Sequence, residues 1–321
     1  MTALRQTPSG LSAPTSRLER LTGRVVGRRR QVELLAAALD AGAHALLEGP
    51  PGTGKTTLLR AIAEVGGPEG NAGAFVFVEG NAELTPNRLI GHFDPSQVLA
   101  EGYVPTTFVD GPLVEALRSG ALLYVEEVNR VPEETLNVLV TVMSEGELHV
   151  PRLGRVPATP GFRLVAAMNP FDGVGTARIS AAIYDRVCRI TMGYQDAGDE
   201  HDIVALRAPA VDRAWRESVV DLVRRTRSHV DVRIGSSVRG AIDTVRLAAS
   251  LADLRGTAAT GWRTGYDAAQ VALSGRIRLH EACTRPPEDV VDELYRAVFG
   301  EEPREDDGRD GAGGGDASGG A

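Results

Sequence analysis

Between residues 43 and 191, five short apolar runs alternate with segments whose apolar positions recur every three to four residues. The runs are 43–48, 74–78, 121–125, 162–168 and 187–191. Each is nearly continuous rather than alternating, which is how a parallel strand covered on both faces reads. Helical patterns fall between them at 29–41, 55–64, 111–119, 133–144 and 180–185. Strands separated by helices predict an α/β fold built on a doubly wound parallel sheet. Beyond about residue 198 the strand pattern vanishes. Helical periodicity at 212–230, 236–254, 265–279 and 288–299 predicts a small all-α domain. Ser236 or Ser237 is placed to cap the second of these helices.

This organisation predicts a polar, disordered stretch over 1–20 and an α/β core over 21–195. A helical domain over 196–300 and a disordered, acidic, Gly-rich tail over 301–321 follow. Two segments interrupt the core. Residues 84–111 read as a long irregular insert, which in a compact domain points to function or mobility. Residues 146–160 read as a hairpin, with strands 147–150 and 155–156 joined by Pro151–Gly154 and basic at its tip.

Composition narrows the class. The 321 residues are 42% hydrophobic and 24% charged, ordinary for a soluble globular chain. No apolar run reaches membrane-spanning length, and the N-terminus carries no signal-peptide core. The two cysteines, Cys188 and Cys283, imply no disulfide framework and read as small buried residues, so a cytoplasmic setting is expected. The six histidines show no metal-ligand spacing. The net charge of −8 is concentrated in the tail, which does not suit a general nucleic-acid binder. The cluster Arg28-Arg29-Arg30 reads as a solvated helix face or an intersubunit contact.

Candidate chemistry starts at the only lysine, Lys55; the other 34 basic residues are arginines. It lies in Gly49-Pro50-Pro51-Gly52-Thr53-Gly54-Lys55-Thr56, which fits the phosphate-binding pattern G-x-x-x-x-G-K-[ST] at every fixed position. Backbone N–H groups turned inward by the glycines make an anion nest, and the helix beginning at Lys55 adds its dipole. A compact ammonium reaches between β- and γ-phosphates where a planar guanidinium does not. Thr56, with Thr57 beside it, would offer a hydroxyl to Mg²⁺. A second motif ends the run 121–125 in Glu126-Glu127, the place and form of a Walker B element. There the first acid serves the Mg²⁺ shell and the second activates water. The usual first acid is Asp; Glu126 carries its carboxylate about a bond length further out.

With both motifs in place, the chain resembles the AAA+ ATPases, a branch of the P-loop NTPases, and among them the MoxR-like group related to magnesium chelatase. The resemblance rests on Arg24-Val25-Val26-Gly27-Arg28, residues 49–56, Glu126-Glu127-Val128-Asn129-Arg130, Ala167-Met168-Asn169-Pro170, Asp185-Arg186 and Ser237-Val238-Arg239. It implies an AAA+ core followed by a helical lid. It also implies an adenine-side contact at Val26-Gly27, a sensor-1 role for Asn169 and a sensor-2 role for Arg239. Arg186 resembles an arginine finger reaching a neighbour's nucleotide, with Arg178 as the alternative. The insert and hairpin resemble the helix-2 insert and pre-sensor-1 hairpin of that branch. Asn129 and Arg130 match the branch without a derivable role.

The activity so implied is hydrolysis of ATP with Mg²⁺ by a homo-oligomeric, hexameric ring that remodels or activates a partner protein, for which a von Willebrand factor A domain protein is the family's usual candidate. Two other readings stay open. One is a nucleotide-switched scaffold or defence and signalling module with weak hydrolysis, which Glu126 favours. The other is a DNA-acting motor, for which only Arg152, Arg155 and Arg28–Arg30 offer a basic face.

Overall fold

A computed structural model describes residues 17–65, 75–171 and 179–303. The chain divides into two units, 1–203 and 204–321. In the first, five strands form one parallel sheet: β1 (His44–Glu48), β2 (Phe75–Glu79), β3 (Leu122–Glu126), β4 (Arg163–Met168) and β5 (Val187–Thr191), in spatial order β2-β3-β4-β1-β5. Each of the five apolar runs has become a strand.

The pleat explains why those runs do not alternate. Leu46, Leu123, Val125, Leu164 and Ala166 face helices Pro112–Ser119 and Glu133–Glu145, through Leu113, Leu117, Leu136 and Leu139. Ala45, Leu47, Tyr124, Val165 and Ala167 face helices Arg29–Asp40 and Lys55–Val65, through Val32, Leu35, Leu58 and Ile62. Both parities of every central strand are therefore buried, which keeps their runs almost wholly apolar.

Order begins earlier than the polar N-terminus suggested. Residues Arg17–Thr22 form a helix, and Leu21 is buried in the core beneath Arg29–Asp40. The expectation of disorder over 1–16 lies outside the described residues, as does that over 304–321. The insert is regular rather than irregular. Helix Pro86–Ile90 is capped by Thr85, whose side chain accepts from Arg88 N. Strand Gly91–Phe93 pairs antiparallel with Phe108–Asp110, and between them helix Pro95–Glu101 is capped by Asp94. Proline at the first helical turn and an acceptor just before it start both helices. The hairpin forms as read: Glu147–Val150 pairs with Gly154–Pro157, from Glu147↔Pro157 to Val150↔Gly154. At its tip Arg152 adopts φ +68° and stacks its guanidinium 3.7 Å from the centre of the Tyr103 ring of the insert. Arg155 pairs with Glu147.

Cys188 is exposed on β5, and Cys283 is partly exposed, so neither is the buried residue expected. A helix the periodicity did not show, Ala197–Arg207, spans the division between the units. The second unit contains helices Arg213–Arg225, Val238–Arg255, Trp262–Leu273 and Pro287–Phe299. Ala241, Ala248, Ala268 and Ala269 are buried, small enough for close helix packing. The unit is not purely helical: Val232–Ile234 pairs antiparallel with Arg278–Leu279. The third helix therefore stops at Leu273, before Gly275, rather than running to 279. Among the described residues, no helix is long and apolar enough to cross a membrane.

Candidate nucleotide site

The C-terminal edge of the sheet gathers the motif residues. β1 ends at Glu48, the loop turns over 49–54, and the helix starts at Lys55. Gly49 cannot carry a side chain, because a Cβ would stand 2.1 Å from the Met192 carbonyl oxygen. Gly52 and Gly54 take φ +76° and +86°, which L side chains resist. Thr53 is fully buried and donates from Oγ1 to Pro50 O at 2.9 Å. The buried Lys55 Nζ donates to Gly49 O at 2.8 Å and Pro50 O at 2.9 Å, so the ammonium lies over the loop.

Next to the loop, Thr56 Oγ1 donates to Glu126 Oε1 at 2.9 Å, and the Tyr124 hydroxyl lies 3.5 Å from Thr56 Oγ1. Hydroxyl and carboxylate oxygens are the donors a hard divalent cation takes, usually together with waters and substrate phosphate, so this pair fits Mg²⁺. Among the described residues, no cluster of three or more His, Cys, Asp or Glu forms a metal cage. Glu127 follows in the left-handed region, φ 51° and ψ 43°, and pairs with Arg130 at 3.1 Å. Asn129 is buried, its Nδ2 lying 3.5 Å from the Asn169 carbonyl oxygen, which ties the end of β3 to the end of β4. Asn169 Oδ1 accepts from Phe171 N at 3.1 Å. Thr57 and Pro51 are exposed on the rim.

Val26 is half-buried and Gly27 has φ +67°, with Asp199 packed where a Cβ would go. The adjoining Arg28 corrects the sequence reading. It is buried at 3% exposure rather than solvated, and donates to Thr53 O at 2.8 Å and Gly193 O at 2.7 Å. Burial lowers its pKa, opposed by Asp199 and Glu200. Burial in turn raises that of Asp199, reinforced by Asp196 and opposed by Arg28. Arg29 and Arg30 are the solvated members of the cluster.

Arg186 stands apart. It precedes β5, whose pairing runs from His44↔Val187 to Glu48↔Thr191. It therefore lies at the opposite sheet edge, roughly 16 Å from the phosphate loop at ~3.3 Å per residue. Its side chain donates to Ala182 O at 2.8 Å and to Ser144 Oγ. Arg178 lies outside the described residues. Arg239 sits in the first turn of Val238–Arg255, in the second unit.

Sequence reasoning passed over Glu48 and Tyr124. Glu48, 2% exposed, accepts from Tyr184 OH at 2.7 Å and pairs with Arg189. Burial and the Glu48 contact push the Tyr184 phenol up to about 12. An acid closing an otherwise apolar strand was the available signal.

Residues 44–187 match the AAA domain of the dynein-related subfamily. A gas vesicle ATPase, GvpN, of Haloferax mediterranei is 30% identical over 62% of this chain. The chain spans 60% of that relative's length. An uncharacterized protein of Staphylococcus aureus is 32% identical over 57% of this chain and 68% of its own length. The chain belongs to the AAA+ ATPases, in their MoxR-like branch. A RuvB variant of Thermotoga maritima shares the AAA+ fold at a TM-score of 0.51 and 17% identity, over 80% of this chain and 73% of that one. In this AAA+ core the strand ends bring Thr56 against Glu126, with Lys55 on the adjoining loop and Asn169 tied to Asn129.

Proposed function

We propose that this AAA+ chain binds ATP with Mg²⁺, hydrolyses it as a subunit of a ring, hexameric by family likeness, and uses the cycle to remodel or activate a partner protein. The observation that carries the reading is the 2.9 Å bond between Thr56 and Glu126 beside the loop bearing Lys55. Phosphoryl transfer to water needs positioning and charge neutralisation more than covalent chemistry. Lys55 would exchange its two loop carbonyls for β- and γ-phosphate oxygens, while the backbone N–H groups of Gly52, Thr53 and Gly54 would donate to the remaining phosphate oxygens. Thr56 and Glu126 would hold Mg²⁺, which would supply charge neutralisation. Glu127 orients or deprotonates the attacking water, and Asn169 positions it. Val26 and Gly27 take the adenine side, and Arg239 reports the γ-phosphate to the lid.

Arg186 acts in trans. Its place at the far sheet edge keeps it from its own loop, and a heterologous head-to-tail contact presents it to the next subunit. The client is a protein, with a von Willebrand factor A domain partner as the family's candidate. Relatives named gas vesicle ATPases favour a protein assembly as the target. The basic hairpin tip gives a DNA motor little support, since Arg155 is paired with Glu147 and Arg152 is stacked on Tyr103.

The test is steady-state ATP hydrolysis against protein concentration for the wild type, Glu127→Gln and Arg186→Ala. Specific activity that climbs with concentration and falls at least ~100-fold in Glu127→Gln supports the reading. In Arg186→Ala the loss is recovered by mixing with Glu127→Gln subunits, which keep their own Arg186. Tight ATP binding with no turnover, alone and with a partner, replaces it with the nucleotide-switched scaffold that Glu126 favours.

A further inference from the structure

Glu127 is one of two non-glycine residues with positive φ among the described residues, the other being Arg152 at the hairpin tip. A side chain in the left-handed region is strained, and such strain persists only where the surroundings impose it. Here they do. Gly80, just past β2, donates from its N–H to Glu126 O at 2.7 Å, and a Cβ there would stand 2.5 Å from Glu127 O. Beyond the acid, Val128–Arg130 form one 3₁₀ turn, closed by Arg130 N donating to Glu127 O at 2.8 Å. Val128 and Val131 are buried in the core, and Asn129 is tied to the Asn169 carbonyl oxygen. The backbone at Glu127 is therefore fixed from both sides.

None of this fixes its side chain, which is half-exposed and carries its carboxylate on several rotatable bonds. The contact that restrains it is Arg130, whose Nη1 lies 3.1 Å from Glu127 Oε2. The turn itself brings the two together, since residues at i and i+3 of such a turn lie one above the other. An exposed pair of this kind adds little to stability. What it adds is direction. A carboxylate held in one rotamer is already aimed when water arrives, and phosphoryl transfer to water depends on aim and charge more than on covalent chemistry.

We propose that Arg130 is a positioning residue for hydrolysis, whose guanidinium holds the Glu127 carboxylate of the same subunit aimed at the attacking water. The proposal rests on the reading of Glu127 as the group that orients or deprotonates that water.

The experiment measures steady-state ATP hydrolysis by the full chain, at a protein concentration where specific activity has levelled off, with thermal melting alongside. The proteins are wild type, Arg130→Ala, Arg130→Lys and Glu127→Gln. In Arg130→Ala kcat falls about tenfold, part of the ~100-fold or more that a general base supplies. KM stays within about twofold, because nucleotide binding does not depend on where Glu127 points. Melting stays within about 2 °C, as befits an exposed pair. Arg130→Lys keeps at least about a third of wild-type kcat, since a single ion-pair contact needs charge rather than a planar fork. Mixing Arg130→Ala with Glu127→Gln subunits restores nothing, because neither kind carries both the arginine and its glutamate. That is the opposite of the recovery expected of Arg186→Ala.

A kcat within about twofold of wild type in Arg130→Ala, with Glu127→Gln inactive, overturns the proposal and leaves the role of Glu127 standing. So does recovery on mixing, which would assign Arg130 to the neighbouring subunit's site. A loss that Arg130→Lys shares in full also overturns it, marking a role in packing. Glu127→Gln at wild-type turnover overturns the reading of Glu127, and the role of Arg130 with it.

Discussion

Replacing Arg28 tests whether the phosphate loop is held from outside its own motif. The guanidinium joins the Thr53 carbonyl to the Gly193 carbonyl, which is 165 residues further along the chain than Arg28. Hydrogen bonds from a charged donor are each worth about 1.5–3 kcal/mol. The two carbonyls differ in what they lose. Thr53 is fully buried, so its oxygen is left dry, whereas Gly193 is exposed and its oxygen regains water. Against the loss stands the relief of an arginine whose Nε is buried without a partner. The balance comes to about 2–3 kcal/mol of destabilisation. For a unit of this size that is a fall of about 4–12 °C in melting temperature. Arg28→Met is the better probe, since it keeps the aliphatic stem and removes only the head. Circular dichroism melts of the full chain give the stability, and nucleotide binding gives the loop. Arg28→Met melting within about 1 °C of wild type, with unchanged nucleotide affinity, would refute the tether.

His44 sets a pH dependence. Burial, aided by the Arg163 charge, lowers its pKa to about 4, and its Nδ1 accepts from Leu164 N at 3.0 Å. The unfolded chain takes up this proton near pH 6.5 and the folded one only near 4, so the contribution is fully present above about 6.5 and fades as pH falls towards 4, by at most about 3 kcal/mol. Urea melts at pH 7 and 4.5 should show that loss, and His44→Gln should flatten it; an unchanged slope would remove His44 as the cause. Gly49→Ala places a Cβ 2.1 Å from the Met192 carbonyl oxygen, where backbone must move. A cost of about 2 kcal/mol or more is expected, together with weakened nucleotide binding, read by melting and by ATP-analogue titration.

The sheet was legible because a strand buried on both faces leaves a continuous apolar run, and all five runs fall within a residue or two of their strands. The phosphate loop was legible because its chemistry is written in consecutive residues. Arg28 was not: flanked by Arg29 and Arg30 it reads as surface charge, and its partners become visible only when residue 193 is folded against residue 53. The insert was misread because its order comes from single-residue caps at Thr85 and Asp94, which carry no periodicity. Helix Ala197–Arg207 was missed because charged residues Asp199, Glu200 and Asp202 crowd its first two turns and its apolar stripe is short.

Glu48 shows why local motifs understate such a site. It closes β1 immediately before the phosphate loop, yet its carboxylate is spent on Tyr184 and Arg189. A buried carboxylate is tolerable only when partnered, and both partners come from the segment around Arg186: one from the short helix before it and one from β5 after it. The residue that leads into the phosphate loop therefore also anchors the stretch that carries Arg186, although the arginine itself lies at the opposite sheet edge. Arg186 is thus held at the end of the sheet opposite the phosphate loop. That placement supports the proposal that it acts on another copy of the chain.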